Sequence, residues 1–139
     1  MSMLLMVSAT VLAAEAPVVN EKVKAAFNKE FSAAELVQWS EQGDLLKATF
    51  LLGGNRTLAY FSADGDLQGT IRSILYNQLP LAVMTALDKK FPGMTPGEIS
   101  EISNSNGTSY TLALDCHEKK YNVRVDVSGN ITDVDKTKK

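Results

Sequence analysis

The sequence predicts an α+β protein made of two tandem repeats, each of one helix and a four-stranded antiparallel meander, forming one sheet with both helices packed on one face. Three observations predict this fold. Apolar residues recur with helical spacing at 18–31 and again at 79–91. Short runs of alternating apolar and polar residues, typical of strands, follow each helix. Similar turns, "SADGD" at 62–66 and "VSGN" at 127–130, then occur at matching places in the two halves.

The first half begins with the helix at 18–31. Pro17 and Asn20 suit a helix start. One face carries Val19, Val23, Ala26, Phe27 and Phe31. After Phe31 the apolar period falls to two, which predicts four strands at 34–40, 45–52, 56–62 and 67–75. The "GGN" at 53–55 is a strong hairpin signal, and we assign Gly65 to a turn that needs a positive φ.

The second half repeats this order. Pro80 suits the first position of a helix whose apolar face holds Val83, Leu87 and Phe91. Strands are predicted at 98–103, 108–115 and 120–127, and a last one after Asn130. About 60 residues bury too little surface to be stable alone, so we expect the two halves to share one core.

The first residues differ in composition from the rest. An apolar run extends from Met3 to Ala14 and small residues follow it. About a dozen apolar residues are too few to span a bilayer but match the centre of a secretory signal peptide. No Lys or Arg precedes the run. We expect a signal peptide at 1–14, the alternative being an apolar helix that packs on the domain, and a single domain at 15–139 with repeats at about 18–77 and 78–135.

Charge and composition exclude some classes of function. The net charge of −2 argues against a nucleic-acid-binding protein, which needs a basic face to neutralise phosphates. The single cysteine, Cys116, cannot form an intramolecular disulfide, and we expect it to be buried. We therefore predict no nucleic-acid partner and, in the mature protein, no membrane span.

Candidate catalytic and metal-binding groups are few. The single histidine, His117, follows Cys116, but adjacent residues of an extended segment point to opposite faces. We expect "CHEK" at 116–119 to be a turn; a metal site at Asp115, His117 and Glu118, or a Cys116 nucleophile, are the alternatives. The "ADGD" at 63–66 lacks the ligand pattern of a calcium loop. We predict no enzyme activity, no cofactor and no metal.

The aromatic strand residues allow two interpretations. Trp39 and Phe61 either pack in the core or lie with Leu51 on a second, open face of the sheet. Arg72 and Arg124 either border that face or are solvated strand charges. An exposed face that mixes aromatic, apolar and charged residues is typical of a protein-binding surface. The candidate binding residues are therefore Trp39, Leu51, Phe61, Arg72 and Arg124.

Several short motifs carry a resemblance to a known family. They are "FSAAELVQW", "AYFSADGDL", the "LP" that opens the second helix, "KKFPG", "YTLALD" and "YNVRVDVSGNI". Together they resemble the PepSY-like family of small exported bacterial proteins, also described as β-lactamase-inhibitor-like, over about 18–135. Ser32 departs from the family pattern, in which proline often follows the aromatic residue, whereas Pro92 keeps it.

The resemblance implies a periplasmic or extracellular protein without established catalysis. We predict an exported, non-catalytic module that binds or inhibits an envelope protein, such as a peptidase, through the open sheet face. The alternative is a periplasmic carrier of a small ligand or a metal. The identity of the protein or peptide partner does not follow from the sequence.

Overall fold

The computed structural model describes residues 19–137, so the predicted signal peptide at 1–14 lies outside the described residues. Two helices and eight strands follow one another, with a 3₁₀ turn at Tyr76–Gln78. The elements are α1 (Glu21–Glu30), β1 (Glu35–Gln42), β2 (Leu45–Leu52), β3 (Asn55–Phe61), β4 (Leu67–Ile74), α2 (Leu81–Lys90), β5 (Thr95–Asn104), β6 (Gly107–Cys116), β7 (Lys119–Asp126) and β8 (Ile131–Thr137). No helix within 19–137 has the length and apolar character needed to cross a membrane.

Asn20 determines where α1 begins. Its side-chain oxygen accepts a hydrogen bond from the Val23 N–H at 2.9 Å, which satisfies one of the free donors of the first turn. Its amide nitrogen donates to the Ala63 carbonyl at 2.8 Å and so ties the helix to the β3–β4 turn. Val23 and Phe27, four residues apart, are both buried. The helix therefore packs with the apolar face that the sequence predicts.

Helix α2 starts differently. Pro80 occupies its N-cap position, where no side chain caps the first turn. Lys89 and Lys90 lie in the last turn, where positive charge interacts favourably with the helix dipole. The Tyr76 hydroxyl donates a hydrogen bond to Asp88 at 2.8 Å, which holds the 3₁₀ turn against the helix. Burial, then the hydrogen bond and the charge of Asp88, raise the pKa of Tyr76 to about 12.

The strands form one sheet in the order β1 to β8, and every neighbouring pair is antiparallel. Short turns join the strands because Gly43, Gly53, Gly54 and Gly107 adopt positive φ, which costs glycine little. At the β6–β7 turn, His117 and Glu118 take positive φ without being glycine. The turn predicted at "CHEK" is confirmed.

Two groups of buried residues form the core. The α1 cluster joins α1 to β2 and β3, and contains Val19, Val23, Phe27, Ala48, Phe50, Ala59 and Phe61. The α2 cluster contains Ile74, Leu79, Val83, Leu87, Phe91, Ile99, Tyr110, Leu112, Leu114, Cys116, Val123 and Val125. Each large apolar side chain stabilises the fold by about 1.5–3 kcal/mol when it is fully buried. The burial expected for Cys116 is confirmed.

The predicted architecture, two repeats of one helix and four strands with both helices packed on one face, is wrong. The strands do form one sheet, as predicted, but the described chain is mostly strand, and β1 to β8 run as one unbroken meander in which β4 pairs with β5 rather than as two four-stranded repeats. The two buried clusters do not divide the strands into four each, because Ile74 of β4 belongs to the α2 cluster. The physical reason is that an edge at β4 would leave backbone donors and acceptors unpaired, and β5 pairs them.

Gly65 and Gly129 serve a purpose beyond turn geometry. Their φ angles are 90° and 91°. A Cβ atom at Gly65 would lie 2.9 Å from the Lys22 carbonyl oxygen, and one at Gly129 only 2.5 Å from that of Ala82. Each glycine therefore lets a strand turn approach the first turn of a helix. The positive φ predicted for Gly65 is confirmed.

Candidate functional site

Strand register divides the sheet residues between two faces. Residues directly opposite each other on neighbouring strands lie on the same face. Ala48 is opposite Ala59 and Phe50 is opposite Thr57, and all four are buried. We call their side of the sheet the core face. Residues of the opposite parity lie on what we call the outer face.

An apolar row crosses the middle of the outer face. Leu58 of β3 pairs with Ile71 of β4, which in turn pairs with Ile102 of β5. All three are half-buried. Leu51 and Tyr60 lie on the same face beside the row. The outer face thus presents apolar side chains on four neighbouring strands.

The first groove on this face is apolar. It has a volume of about 230 Å³, and its walls include Leu45, Tyr60, Ile71 and Ile102. Gly69 lies opposite Tyr60 and leaves room there because it has no side chain. We call this depression the apolar groove.

The second groove on the outer face is larger than the apolar groove and is lined by several carboxylates. It measures about 530 Å³. We call it the acidic groove; its lining residues include Glu98, Ser100, Thr111, Asn122, Arg124, Asp133 and Asp135. Three carboxylates accompany one guanidinium, and the only ion pair recorded within residues 19–137 lies elsewhere, between Arg72 and Glu101.

A bulge in β5 shapes the acidic groove. Pairing between β5 and β6 shifts between Pro96 and Ile99, so Gly97 and Glu98 lie together opposite Ala113. An extra residue of this kind bends a strand and increases its twist. A Cβ atom at Gly97 would lie 3.1 Å from the Ala113 carbonyl oxygen, so the close approach of the two strands favours glycine. Neither helix contributes a residue to the lining of either groove.

The five candidate binding residues do not lie on one face. Leu51 and Arg124 lie on the outer face, since they pair with Arg56 and Asp133. Trp39 and Phe61 lie on the core face, where their ring centroids are 6.1 Å apart. Phe61 has no solvent exposure. Of the two interpretations left open, the structure places both aromatic residues in the core.

Arg72 also lies on the core face, opposite the buried Thr57. Its Nε and Nη2 atoms each donate to the Glu101 carboxylate at 3.2 Å. The Tyr110 hydroxyl donates to the same carboxylate at 3.2 Å. Burial first, and then the charge of Glu101, raise the pKa of Tyr110. The guanidinium of Arg72 is therefore bound within the fold.

The length of the β2–β3 turn is the signal in the sequence that identifies Leu58 as an outer-face residue. Gly53 and Gly54 form a two-residue turn, which places Leu52 opposite Asn55 and Phe50 opposite Thr57. Once Phe50 is assigned to the core, this register places Phe61 in the core and Leu58 outside. A three-residue turn at 53–55 would instead pair Leu52 with Arg56 and reverse the faces of β3, which is why the sequence alone leaves the face of Phe61 open.

The other chemical candidates lie apart from the grooves. Cys116 is buried, and its sulfur donates a weak hydrogen bond to the Pro92 carbonyl at 3.5 Å. His117 is exposed in the β6–β7 turn. Across residues 19–137, no three His, Cys, Asp or Glu side chains are grouped in a way that could hold a metal ion.

Comparisons with known proteins match the fold. No family model matches the chain, and no curated protein does. A BLIP-like protein from Bacteroides fragilis is 17% identical, with a TM-score of 0.77 over 91% of this chain and 92% of that one. A DUF2874 family protein from Bacteroides uniformis is 19% identical, with a TM-score of 0.72 over 84% and 88%. A protein from Bacteroides eggerthii that is described as periplasmic is 16% identical, with a TM-score of 0.73 over 86% and 90%.

These similarities concern the fold. Nearly the whole length of each chain superposes, so the eight-stranded meander with its two helices is shared with BLIP-like and DUF2874 family structures. The inhibitor-like part of the resemblance is thereby supported at the level of structure. Membership of the PepSY-like family stays a prediction.

Proposed function

We propose that this chain is an exported, non-catalytic module that binds a protein of the bacterial envelope through the outer face of its sheet. The observation that carries the proposal is the apolar row Leu58–Ile71–Ile102, which no helix within residues 19–137 covers. Apolar side chains gathered on a face bordered by polar groups are typical of a protein interface. The periplasmic description of one structural neighbour supports the location.

The size of the face fits this use. Eight strands at about 4.8 Å spacing span roughly 34 Å across the sheet, and seven residues per strand span about 24 Å along it. The face therefore offers about 800 Å², which is the area that each partner contributes to a standard protein interface. Inhibition of an envelope peptidase is one form that such binding would take, and the fold likeness to a BLIP-like protein supports it by analogy.

The experiment compares two surface charges. Ile71→Asp places a carboxylate in the centre of the apolar row, whereas Thr85→Asp places one on the exposed side of α2. Each purified variant, with the unaltered protein beside it, is immobilised and exposed to envelope extract, and the bound proteins are identified and quantified. We expect Ile71→Asp to lose a partner that Thr85→Asp retains. Equal retention by both variants would remove the outer face as the binding surface.

A small-ligand carrier is the second candidate, and the acidic groove is the observation that favours it. Its volume of about 530 Å³ is in the range of small-molecule sites. A ligand that binds the folded protein must raise its unfolding temperature. Thermal unfolding against polyamines and other small organic cations is the test, and no shift with any of them would exclude a carrier of this class.

A further inference from the structure

The charge and shape of the outer face also point to the chemistry of the partner. Resting on the proposed function, we infer that the face recognises an extended polypeptide segment with an apolar side chain and a Lys or Arg about four residues apart. The apolar side chain fills the apolar groove, and the cation lies over the acidic groove.

The charge of the acidic groove selects a cation. Glu98, Asp133 and Asp135 line it together with Arg124, which leaves two negative charges in excess. The three carboxylates form no ion pair and accept no side-chain hydrogen bond within residues 19–137. All three carboxylates are exposed and lack an internal partner, so they are free to pair with a cation supplied by another molecule. Anionic ligands, including nucleic acids and acidic lipids, are disfavoured by the same charge.

The two grooves are neighbours on the outer face of the sheet. Ile102 lines the apolar groove and Ser100 lines the acidic groove, and both project from the outer face of β5. Two residues along a strand cover about 7 Å. Across the sheet, β4 and β7 are three spacings apart, which is about 14 Å. The two offsets combine to about 16 Å, which an extended segment covers in about four to five residues, and this sets the separation of the two side chains.

A second copy of this chain fits the face less well. Two concave grooves placed face to face leave a void between them, and unfilled space forfeits the packing contacts that stabilise an interface. An extended segment or a protruding loop fills the grooves instead. The partner is therefore expected to present a convex or extended element rather than another sheet of this kind.

The probe is a library of random twelve-residue peptides displayed on phage and selected against the protein. Enriched sequences are synthesised, labelled and measured by fluorescence anisotropy. We expect enrichment of an apolar residue with Lys or Arg about four positions away. Peptides that bind the outer face but carry acidic or neutral residues would overturn the inference and leave the proposed function standing.

Two triple variants that lose the same charge show whether the acidic groove contributes to peptide binding. The groove variant carries Glu98→Gln, Asp133→Asn and Asp135→Asn, and the control carries Asp44→Asn, Asp64→Asn and Glu118→Gln in exposed turns. Both lose the same net charge, and Trp39 fluorescence checks that both are folded. Each of the three exposed carboxylates attracts the one peptide cation by up to a few-fold, so their joint removal predicts about tenfold weaker binding for the groove variant at low salt.

Each of the remaining outcomes would overturn the inference. Equal weakening by the two triple variants would show general attraction and overturn the inference. Enriched peptides unaffected by Ile71→Asp would overturn both the inference and the proposed function. A dimer in sedimentation that Ile71→Asp dissociates, or a selection without enrichment, would likewise overturn the extended-segment inference.

Discussion

Replacing Phe61 by alanine tests the register that separates the two faces of the sheet. Phe61 has no solvent exposure, and its ring centroid lies 6.2 Å from that of Phe27 and 6.1 Å from that of Trp39. Removing such a ring leaves a cavity and costs about 3–5 kcal/mol. The matched control is Leu58→Ala on the same strand, whose side chain is half-buried on the outer face and costs about 1 kcal/mol.

The assay is urea unfolding followed by fluorescence. Trp39 is the only tryptophan of the chain and packs against the α1 cluster, so its emission reports the environment of Phe61 directly. Small domains have unfolding free energies of about 5–15 kcal/mol, so Phe61→Ala removes a large part of the total. At about 3 °C per kcal/mol, the unfolding temperature falls by roughly 10 °C or more. A smaller loss for Phe61→Ala than for Leu58→Ala would refute the assignment of faces.

Three further predictions concern the turns and the hydroxyl contact of α2. Gly129→Ala destabilises the fold by about 2 kcal/mol or more, because backbone strain is added to a clash with α2. Gly54→Ala costs about 1 kcal/mol, since the added Cβ has nothing within 4 Å. Urea unfolding of both variants measures the difference. Tyr76 favours its neutral form in the fold, so its contribution is complete below pH 10 and is lost as the pH rises towards 12; Tyr76→Phe removes this alkaline dependence in unfolding measurements. Backbone N–H groups of the β7–β8 turn hold the pKa of Asp126 below its usual value. The contribution of Asp126 to stability is therefore present above about pH 4 and is lost on further acidification. Asp126→Ala flattens that part of the stability profile.

Much of the secondary structure follows from local patterns. Val23 and Phe27 repeat at helical spacing, and Asn20 supplies a cap, so α1 is readable without any tertiary information. Glycines at 53, 65 and 129 take the positive φ that their turns require. These features depend on a few neighbouring residues, which is why sequence alone predicts them.

Sequence alone does not predict which face of a strand is buried. Along β3, Leu58, Tyr60, Ala59 and Phe61 are all apolar, so alternation does not say which pair is buried. A change of one residue in the turn reverses the answer. The division of the core is equally non-local, since Ile74 joins the α2 cluster only through the pairing of β4 with β5.

The sequence does not predict the acidic groove either, because the groove also depends on non-local strand pairing. Glu98 lies on β5, whereas Asp133 and Asp135 lie on β8. They line one groove only because three consecutive hairpins and the bulge beside Glu98 bring them to the same side. The sequence predicts Arg124 as a candidate but not its acidic neighbours, because no sequence pattern joins them.

The proposed function requires that the outer face of the sheet is the surface that contacts a partner protein. Site-specific photocrosslinking in the cell tests it most directly, with a photoreactive residue at position 71 on the outer face or at position 85 on α2. We expect a dominant adduct from position 71 that is absent from position 85 and is reduced when Glu98, Asp133 and Asp135 are neutralised. The same adducts from both positions, or adducts from position 85 alone, would contradict it.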